Sequence, residues 1–400
     1  MTKSRRPDPR PDDEYEQVFD RSSEVLDGQL PGILQEIDEA ASLLAVLLGT
    51  PGPERRALLE SGVRFHSLQL CQLLEERSRE AWFSDPARAV QLADLAVAVA
   101  ERLDDAHYGL PLAEDARASA WAHLGNASRI ASDHQRAEEA LQTAEDHQRR
   151  SGGDAYTEAL ILSFKASLRS AQGRYDEATR LLDGAITVYR QARDRHEEGR
   201  ALIKKGTALG HAGRHSEAVR LIRRGLTRID LFLEPRLLVT ARHNLIFFMT
   251  DGGLYQEAED SLAETRRLYV ELGERMNLVR LRWLEGKLAR ELGRLEEAEA
   301  ALKEARDAFL TDDIAIDAAL VSLDLAILYM QRGEITALKD LAAEMRPIFE
   351  SGDVHPEALA AVLLFQQAAE AEQVTRTLLD QVAARLQRPS AASRGPSKRG

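Results

Sequence analysis

Gly173-Arg-Tyr-Asp-Glu-Ala178 is the stretch that decides the fold, because the chain repeats it at a fixed interval. Related stretches begin at Gly213, Gly253 and Gly293, each 40 residues after the last, and each keeps the glutamate and alanine of the final two positions. Apolar residues at helical spacing flank every copy. Glycine adopts the positive φ that ends a helix, and the small alanine lets two helices approach closely. The pattern predicts a series of helical hairpins, which is typical of a solenoid.

A second repeated feature is an acidic residue before the first helix of a hairpin, where its side chain can cap free N–H groups and meet the positive end of the helix dipole. Such residues stand 40 positions apart at Asp154, Asp194, Glu234 and Glu274. First helices are predicted near 115–131, 155–172, 195–212, 235–252, 275–292 and 313–332. Second helices are predicted near 134–148, 175–190, 215–228, 255–271, 295–310 and 335–350.

Composition outside the regular repeats divides the chain into five predicted segments. Residues 13–48 carry nine acidic residues and one arginine, Arg21. A DNA-reading helix-turn-helix needs positive charge to meet phosphates, so an acidic cap on the first hairpin is the better interpretation. We expect a disordered N-terminus at 1–13, an acidic helical cap at 14–53, the repeat array at 54–353, a C-terminal helical cap at 354–388, and a disordered basic tail at 389–400.

Bulk properties exclude several classes of function. The formal net charge is −13 and the pI about 5.4, which disfavours nucleic acid as a partner. The single cysteine, Cys71, excludes an internal disulfide and a cysteine-based zinc site. The N-terminus has no apolar signal-peptide core, and no apolar run is long enough to cross a membrane. We therefore expect a cytoplasmic protein without a membrane partner.

The repeats resemble those of tetratricopeptide (TPR) proteins. In one hairpin the large and small residues of the family's signature fall at the family's spacing: Trp121, Leu124, Gly125, Ala137, Leu141 and Ala144. The period is about 40 residues instead of 34, as in longer-repeat bacterial relatives. The resemblance implies an all-α fold, a right-handed α-solenoid of about seven TPR-like hairpins with helical caps. HEAT and armadillo repeats have a similar length but do not predict the glycine–glutamate–alanine turn.

In TPR arrays the first helices line the concave face, so their polar residues are the candidate binding groups. Three successive first helices are basic for an acidic chain. Arg280, Trp283 and Lys287 share one helical face. The predicted partner-binding residues are Arg200, Lys204, Arg242, His243, Asn244, Arg280, Trp283 and Lys287. A basic strip of this kind suits an acidic segment of a protein or peptide partner. The alternative is that these are ordinary solvated helix charges, paired with nearby glutamates.

No pattern of catalytic residues occurs in the sequence. The chain has no phosphate-binding loop, dinucleotide fingerprint or nucleophile elbow, so we predict neither an enzyme nor a cofactor. His211 and His215 have the spacing of a metal-binding pair, but Gly213 places them on different helices and no third ligand is near, so no metal is expected.

Two functional hypotheses follow. The first is a non-enzymatic scaffold or adaptor that binds a partner segment in the concave groove. The second is a signalling or regulatory sensor in which a peptide or small ligand changes the conformation of the solenoid. The oligomeric state stays open.

Overall fold

The computed structural model describes residues 37, 39–230, 234–272, 275–350 and 356–386, and within these ranges the regular secondary structure is helical, without a strand. The predicted all-α fold is confirmed. The predictions for residues 1–13, for most of the cap at 14–53 and for the tail at 389–400 lie outside the described residues. No helix in the described ranges is both long and apolar enough to cross a membrane.

The chain forms two compact units. Unit 1 comprises residues 1–131 and 142–154, and unit 2 comprises residues 132–141 and 155–400. The described helices of unit 1 are α1 (39–49), α2 (Gly52–Ser61), α3 (Leu68–Ala81), α4 (Pro86–Ala100), α5 (Asp105–Tyr108) and α6 (Leu110–Ile130), with a 3-10 turn at Val63–Phe65. Helix α7 (His134–Ser151) begins in unit 2 and ends in unit 1.

Unit 2 contains the regular hairpins, with boundaries within a few residues of those predicted. Its first helices are α8 (Ala155–Ala171), α10 (Arg195–His211), α12 (Pro235–Asp251), α14 (Arg275–Glu291) and α16 (Ala315–Arg332). Its second helices are α9 (Tyr175–Gln191), α11 (His215–Leu226), α13 (Tyr255–Leu272), α15 (Leu295–Thr311) and α17 (Ile335–Glu350). Helices α18 (Pro356–Glu370) and α19 (Arg376–Leu386) follow.

The repeated turn has the geometry that its glycine predicts. Gly213 has φ +80°, and the glycines at the same position of the other copies have φ between +73° and +77°. Arg214 N donates to Leu209 O at 2.9 Å, so the helix ends in a left-handed residue with its last carbonyls satisfied. The alanine that follows, Ala218, is fully buried between the two helices.

Helices α10 and α11 pack closely because glycine replaces a side chain at their contact. A Cβ atom on Gly206 would lie 2.6 Å from Ile222 Cγ1 and 3.0 Å from the backbone oxygen of Ala218. The contact between α10 and α11 therefore leaves no room for a side chain at position 206.

The predicted acidic caps are confirmed at one hairpin and wrong at another. Asp194 Oδ1 accepts a hydrogen bond from Glu197 N at 2.9 Å at the start of α10. Glu234 makes no such bond at the start of α12. Its longer side chain instead forms an ion pair with Arg200, 3.2 Å away.

Cys71 lies in the core of unit 1. Its thiol is 1% exposed, and Sγ lies 3.5 Å from Ala96 O. Burial, and then the nearby Glu75 carboxylate, raise the pKa of the Cys71 thiol.

Candidate partner-binding site

A cavity of about 480 Å³ lies within unit 2, against its first helices. We call the side of unit 2 formed by α10, α12, α14 and α16 the first-helix face. Side chains of all four helices border the cavity, and α19 forms a further wall. Its apolar lining includes Phe247 of α12, Trp283 of α14, Leu320 and Leu323 of α16, and Leu379 of α19. A cavity of this size with mixed apolar and charged walls is suited to binding a short segment or a small ligand.

Two of the eight predicted residues, Trp283 and Lys287, lie in the cavity wall. Trp283 Nε1 donates to Asp324 Oδ2 at 2.7 Å, which links α14 to α16. Lys287 Nζ lies 2.8 Å from Asp251 Oδ1 and 3.7 Å from the centre of the Phe247 ring, a cation–π contact. Both side chains are therefore held in fixed positions before any ligand binds.

Asp324 is a buried carboxylate that accepts hydrogen bonds from both Trp283 and Arg290 of α14. Arg290 Nη1 donates to Asp324 Oδ1 at 2.6 Å, and the Arg290 side chain is 0% exposed. Burial acts to raise the pKa of Asp324, but the charges of Arg290 and Lys287 and the hydrogen bonds outweigh it, so the pKa lies below its ordinary value. The carboxylate is ionised at neutral pH and fixes the orientation of Trp283.

Three more predicted residues make contacts between neighbouring first helices. Lys204 Nζ of α10 lies 2.8 Å from Ser163 Oγ of α8. Asn244 Nδ2 of α12 donates to Thr207 Oγ1 of α10 at 3.2 Å. Arg280 Nη2 of α14 lies 3.4 Å from Asp317 Oδ2 of α16. These contacts link α8 to α10, α10 to α12, and α14 to α16.

Arg200 and Arg242 are held in ion pairs with glutamates. Arg200 lies 2.7 Å from Glu197 and 3.2 Å from Glu234, with 14% of its side chain exposed. Arg242 donates two hydrogen bonds to Glu264 of the second helix α13, at 2.7 and 2.8 Å. The structure thus directs Arg242 toward its own second helix, and both charges are neutralised within unit 2.

Two histidines of this region, His243 and His211, have lowered pKa values. His243 Nδ1 is buried and has no hydrogen-bond partner. Burial, followed by the charges of Arg280 and Lys287, lowers the pKa of His243 to about 4. Burial is also the first cause of the lowered pKa of His211.

His211 and His215 both line the cavity, and both contact Phe248 through their rings. Within the described ranges, no group of three or more histidine, cysteine, aspartate or glutamate side chains is arranged to hold a metal ion. The two rings therefore contribute aromatic surface to the cavity.

Sequence reasoning missed two parts of this site. One is the carboxylates Asp251 and Asp324, of which Asp324 could have been noticed as a charge within the largely apolar sequence of α16. The other is α19, which lies far along the chain from α10 and α12 and carries no motif. No local pattern could have placed it at the cavity.

Comparisons with known proteins agree with this architecture. The sequence model of the tetratricopeptide repeat matches residues 156–229. No curated protein matches the chain.

Several solved structures are similar in fold. A Rap protein complexed with competence and sporulation factor aligns with a TM-score of 0.58 at 13% identity, over 80% of this chain and 88% of that one. The apo form of the quorum sensor NprR from B. thuringiensis aligns with a TM-score of 0.52 at 14% identity, over 88% of this chain and 99% of that one. Aspartyl phosphate phosphatase F from Bacillus subtilis aligns with a TM-score of 0.54 at 12% identity, over 84% of this chain and 89% of that one. At such identities the likeness is one of fold and carries over no functional residue. The turn geometry, the matched repeat and these structures together show that the chain is a tetratricopeptide-like helical repeat protein.

Proposed function

We propose that the chain is a non-enzymatic cytoplasmic adaptor that binds a segment of a partner protein or peptide on its first-helix face. The observation that carries the proposal is the cavity bordered by four successive first helices, because one bound segment can contact all four. Lys287 and Trp283 are already fixed by Asp251 and Asp324, so binding costs little side-chain entropy.

The charge of the partner is a separate question. The sequence predicts an acidic segment from the basic residues of the first helices. Because Arg200, Arg242, Arg280 and Lys287 are all within ion-pair distance of carboxylates, an acidic segment would have to compete with existing pairs. The acidic partner therefore stays a prediction, and the main contribution we propose is apolar.

A substitution of Phe247 tests the proposal. Phe247→Ala removes the ring beneath Lys287 and widens the cavity, and we expect a captured partner to bind at least about tenfold more weakly, as for an aromatic contact residue in an interface. Leu268→Ala is the matched control, because Leu268 of α13 packs against the same core cluster as Phe247 but does not line the cavity. Affinity capture from the native lysate with wild type and both variants, followed by titration of the captured partner, measures the effect. Equal loss in both variants would refute a site at the cavity.

The second candidate function is a sensor whose conformation responds to a ligand. The supporting observation is that the cavity is bordered by helices of successive hairpins and by α19, so a ligand there can draw them together. The structural neighbours include a quorum sensor and a Rap protein bound to a factor. Small-angle scattering distinguishes the two functions: the sensor compacts when its ligand binds, whereas the adaptor forms a stable complex without compaction of its own chain.

A further inference from the structure

Helix α19 departs from the packing rule of the preceding hairpins. Regular second helices pack against their own first helix and the first helix of the next hairpin: α9 contacts α8 and α10, and α15 contacts α14 and α16. Helix α19 packs against its own partner α18, and also against α16, which is a first helix of an earlier hairpin. It therefore lies on the first-helix face, where the proposed partner would bind.

The contact between α19 and this face is apolar. Leu379, Val382 and Leu386 follow i, i+3, i+7 spacing along α19, and all three are at most 1% exposed. They belong to the same core cluster as Leu320 and Ile327 of α16.

No polar contact fixes the register of α19 on α16. In the described part of the chain, no hydrogen bond or ion pair joins the two helices; Arg376 and Asp380 of α19 pair with each other at 3.2 Å. Because apolar contact is not directional, another segment with similar side chains can replace α19.

Helix α19 also leaves part of the face unfilled. The cavity beside it reaches from Leu379 to Gly210, at the C-terminal end of α10. A longer segment in the position of α19 would cover α16 and extend into this space, and so would bury more apolar surface than α19 does.

We propose that α19 is a built-in occupant of the first-helix face, and that the partner segment is an amphipathic helix with aliphatic residues at the spacing of Leu379, Val382 and Leu386. The partner binds by displacing α19. The identity of this surface as the partner's site rests on the proposed function. The displacement of α19 can be measured without any partner.

The test uses a synthetic copy of residues 374–386 as the probe. The full chain is prepared as wild type and as Leu379→Ala/Val382→Ala, which weakens the intrachain contact and keeps a helix-forming sequence. In wild type, α19 itself occupies the site, so the apparent affinity for the peptide is the intrinsic affinity multiplied by the fraction of chains in which the site is free. We therefore expect the labelled peptide to bind the double variant at least about tenfold more tightly than wild type, by fluorescence anisotropy. Hydrogen exchange measured by mass spectrometry should show faster exchange in α19 of the double variant.

Two controls accompany this measurement. Arg376→Ala/Asp380→Ala changes the exposed ion pair of the same helix and should leave peptide affinity at the wild-type value. A peptide with serine at positions 379 and 382 should bind neither wild type nor the double variant. If circular dichroism shows that the double variant is unfolded, Leu386→Ala alone takes its place.

Three results would overturn the proposal. The first is equal peptide affinity for wild type and the double variant, and the second is no peptide binding to a double variant whose α19 amides exchange hydrogen rapidly. The third is unchanged hydrogen exchange of the α19 amides in the double variant. A natural partner that binds without increasing exchange in α19 would refute displacement and leave the proposed function standing. Loss of that partner from both Phe247→Ala and Leu268→Ala would refute the proposed function instead.

Discussion

Replacing Arg290 by methionine should strongly destabilise the contact between α14 and α16. The Arg290 guanidinium is fully buried, 2.6 Å from Asp324 Oδ1 and 2.8 Å from Glu291. The Arg290→Met variant retains the apolar stem but removes the cation that is hydrogen-bonded to Asp324. The buried carboxylate then keeps one hydrogen bond, from the neutral Trp283 Nε1, and the nearby charge of Lys287. Removing one partner of a buried ion pair costs about 3–5 kcal/mol, mostly because an unpaired charge stays in the interior.

The double variant Arg290→Met/Asp324→Asn is the matched control. Asparagine at position 324 retains an oxygen that can accept a hydrogen bond from Trp283 Nε1, but it carries no charge. The double variant therefore does not pay the cost of burying a carboxylate without Arg290. We expect the double variant to lie within about 1.5 kcal/mol of wild type, since replacing a whole buried pair by neutral groups is often close to neutral in stability.

Acidification should reduce the cost of the single variant. In wild type the pKa of Asp324 is lowered, so the stability it contributes is present above its unfolded pKa and is lost as the pH falls through the folded pKa. Without Arg290, the largest of the effects that lower the pKa of Asp324 is lost, so its pKa rises above the wild-type value. The penalty of Arg290→Met is then present above this raised pKa and is relieved as the pH falls through it.

Hydrogen exchange of the α14 and α16 amides measures these differences locally, so it does not require the whole chain to unfold in two states. A cost of about 3–5 kcal/mol corresponds to exchange at least roughly 100-fold faster in the single variant. Near-wild-type exchange in Arg290→Met, or an equal cost in the double variant, would refute the electrostatic reasoning.

Three further predictions concern other positions of the chain. Gly206→Val should lower the free energy of unfolding by about 1–3 kcal/mol, measured by urea denaturation, because its side chain must displace Ile222 and the backbone of α11; an unchanged transition would show that the helices separate freely. Lowering the pH from about 6.5 to about 4 should destabilise wild type more than His243→Gln, because in this range His243 is protonated in the unfolded chain but stays neutral in the folded chain, where its pKa is about 4. Identical melting curves of the two proteins across this range would contradict a neutral, buried His243. Cys71 should resist iodoacetamide in the native protein and react after denaturation, because its thiol is buried and its pKa raised; rapid native labelling, detected by mass, would contradict its place in the core.

Much of the fold could be predicted from the sequence because a single local feature recurs. The positive-φ glycine and the buried alanine determine where each hairpin turns, and both are residue-type requirements visible without a structure. Glu234 shows the limit of this reasoning: its position predicted a cap, but its longer side chain reached Arg200 instead.

The candidate site was only partly predictable. The 40-residue period places corresponding positions of neighbouring first helices side by side, as the contact between Trp283 and Asp324, 41 positions apart, shows. It could not indicate which charges would be neutralised, because the side-chain conformation that pairs Arg242 with Glu264 of its own hairpin is not determined by position in the repeat. Nor could it place α19, whose return to α16 is a tertiary contact without a local signal.

The central claim, that the partner binds at the cavity of the first-helix face, is tested most directly by photocrosslinking. A photoreactive benzoylphenylalanine is placed at position 247, where it replaces an aromatic ring, or at position 268 of α13 as the control. We expect the partner to be crosslinked in high yield from position 247 and not from position 268, with the crosslinked peptide identified by mass spectrometry. Crosslinking from position 268 alone, or equal yields from both positions, would contradict the account and place the binding surface elsewhere.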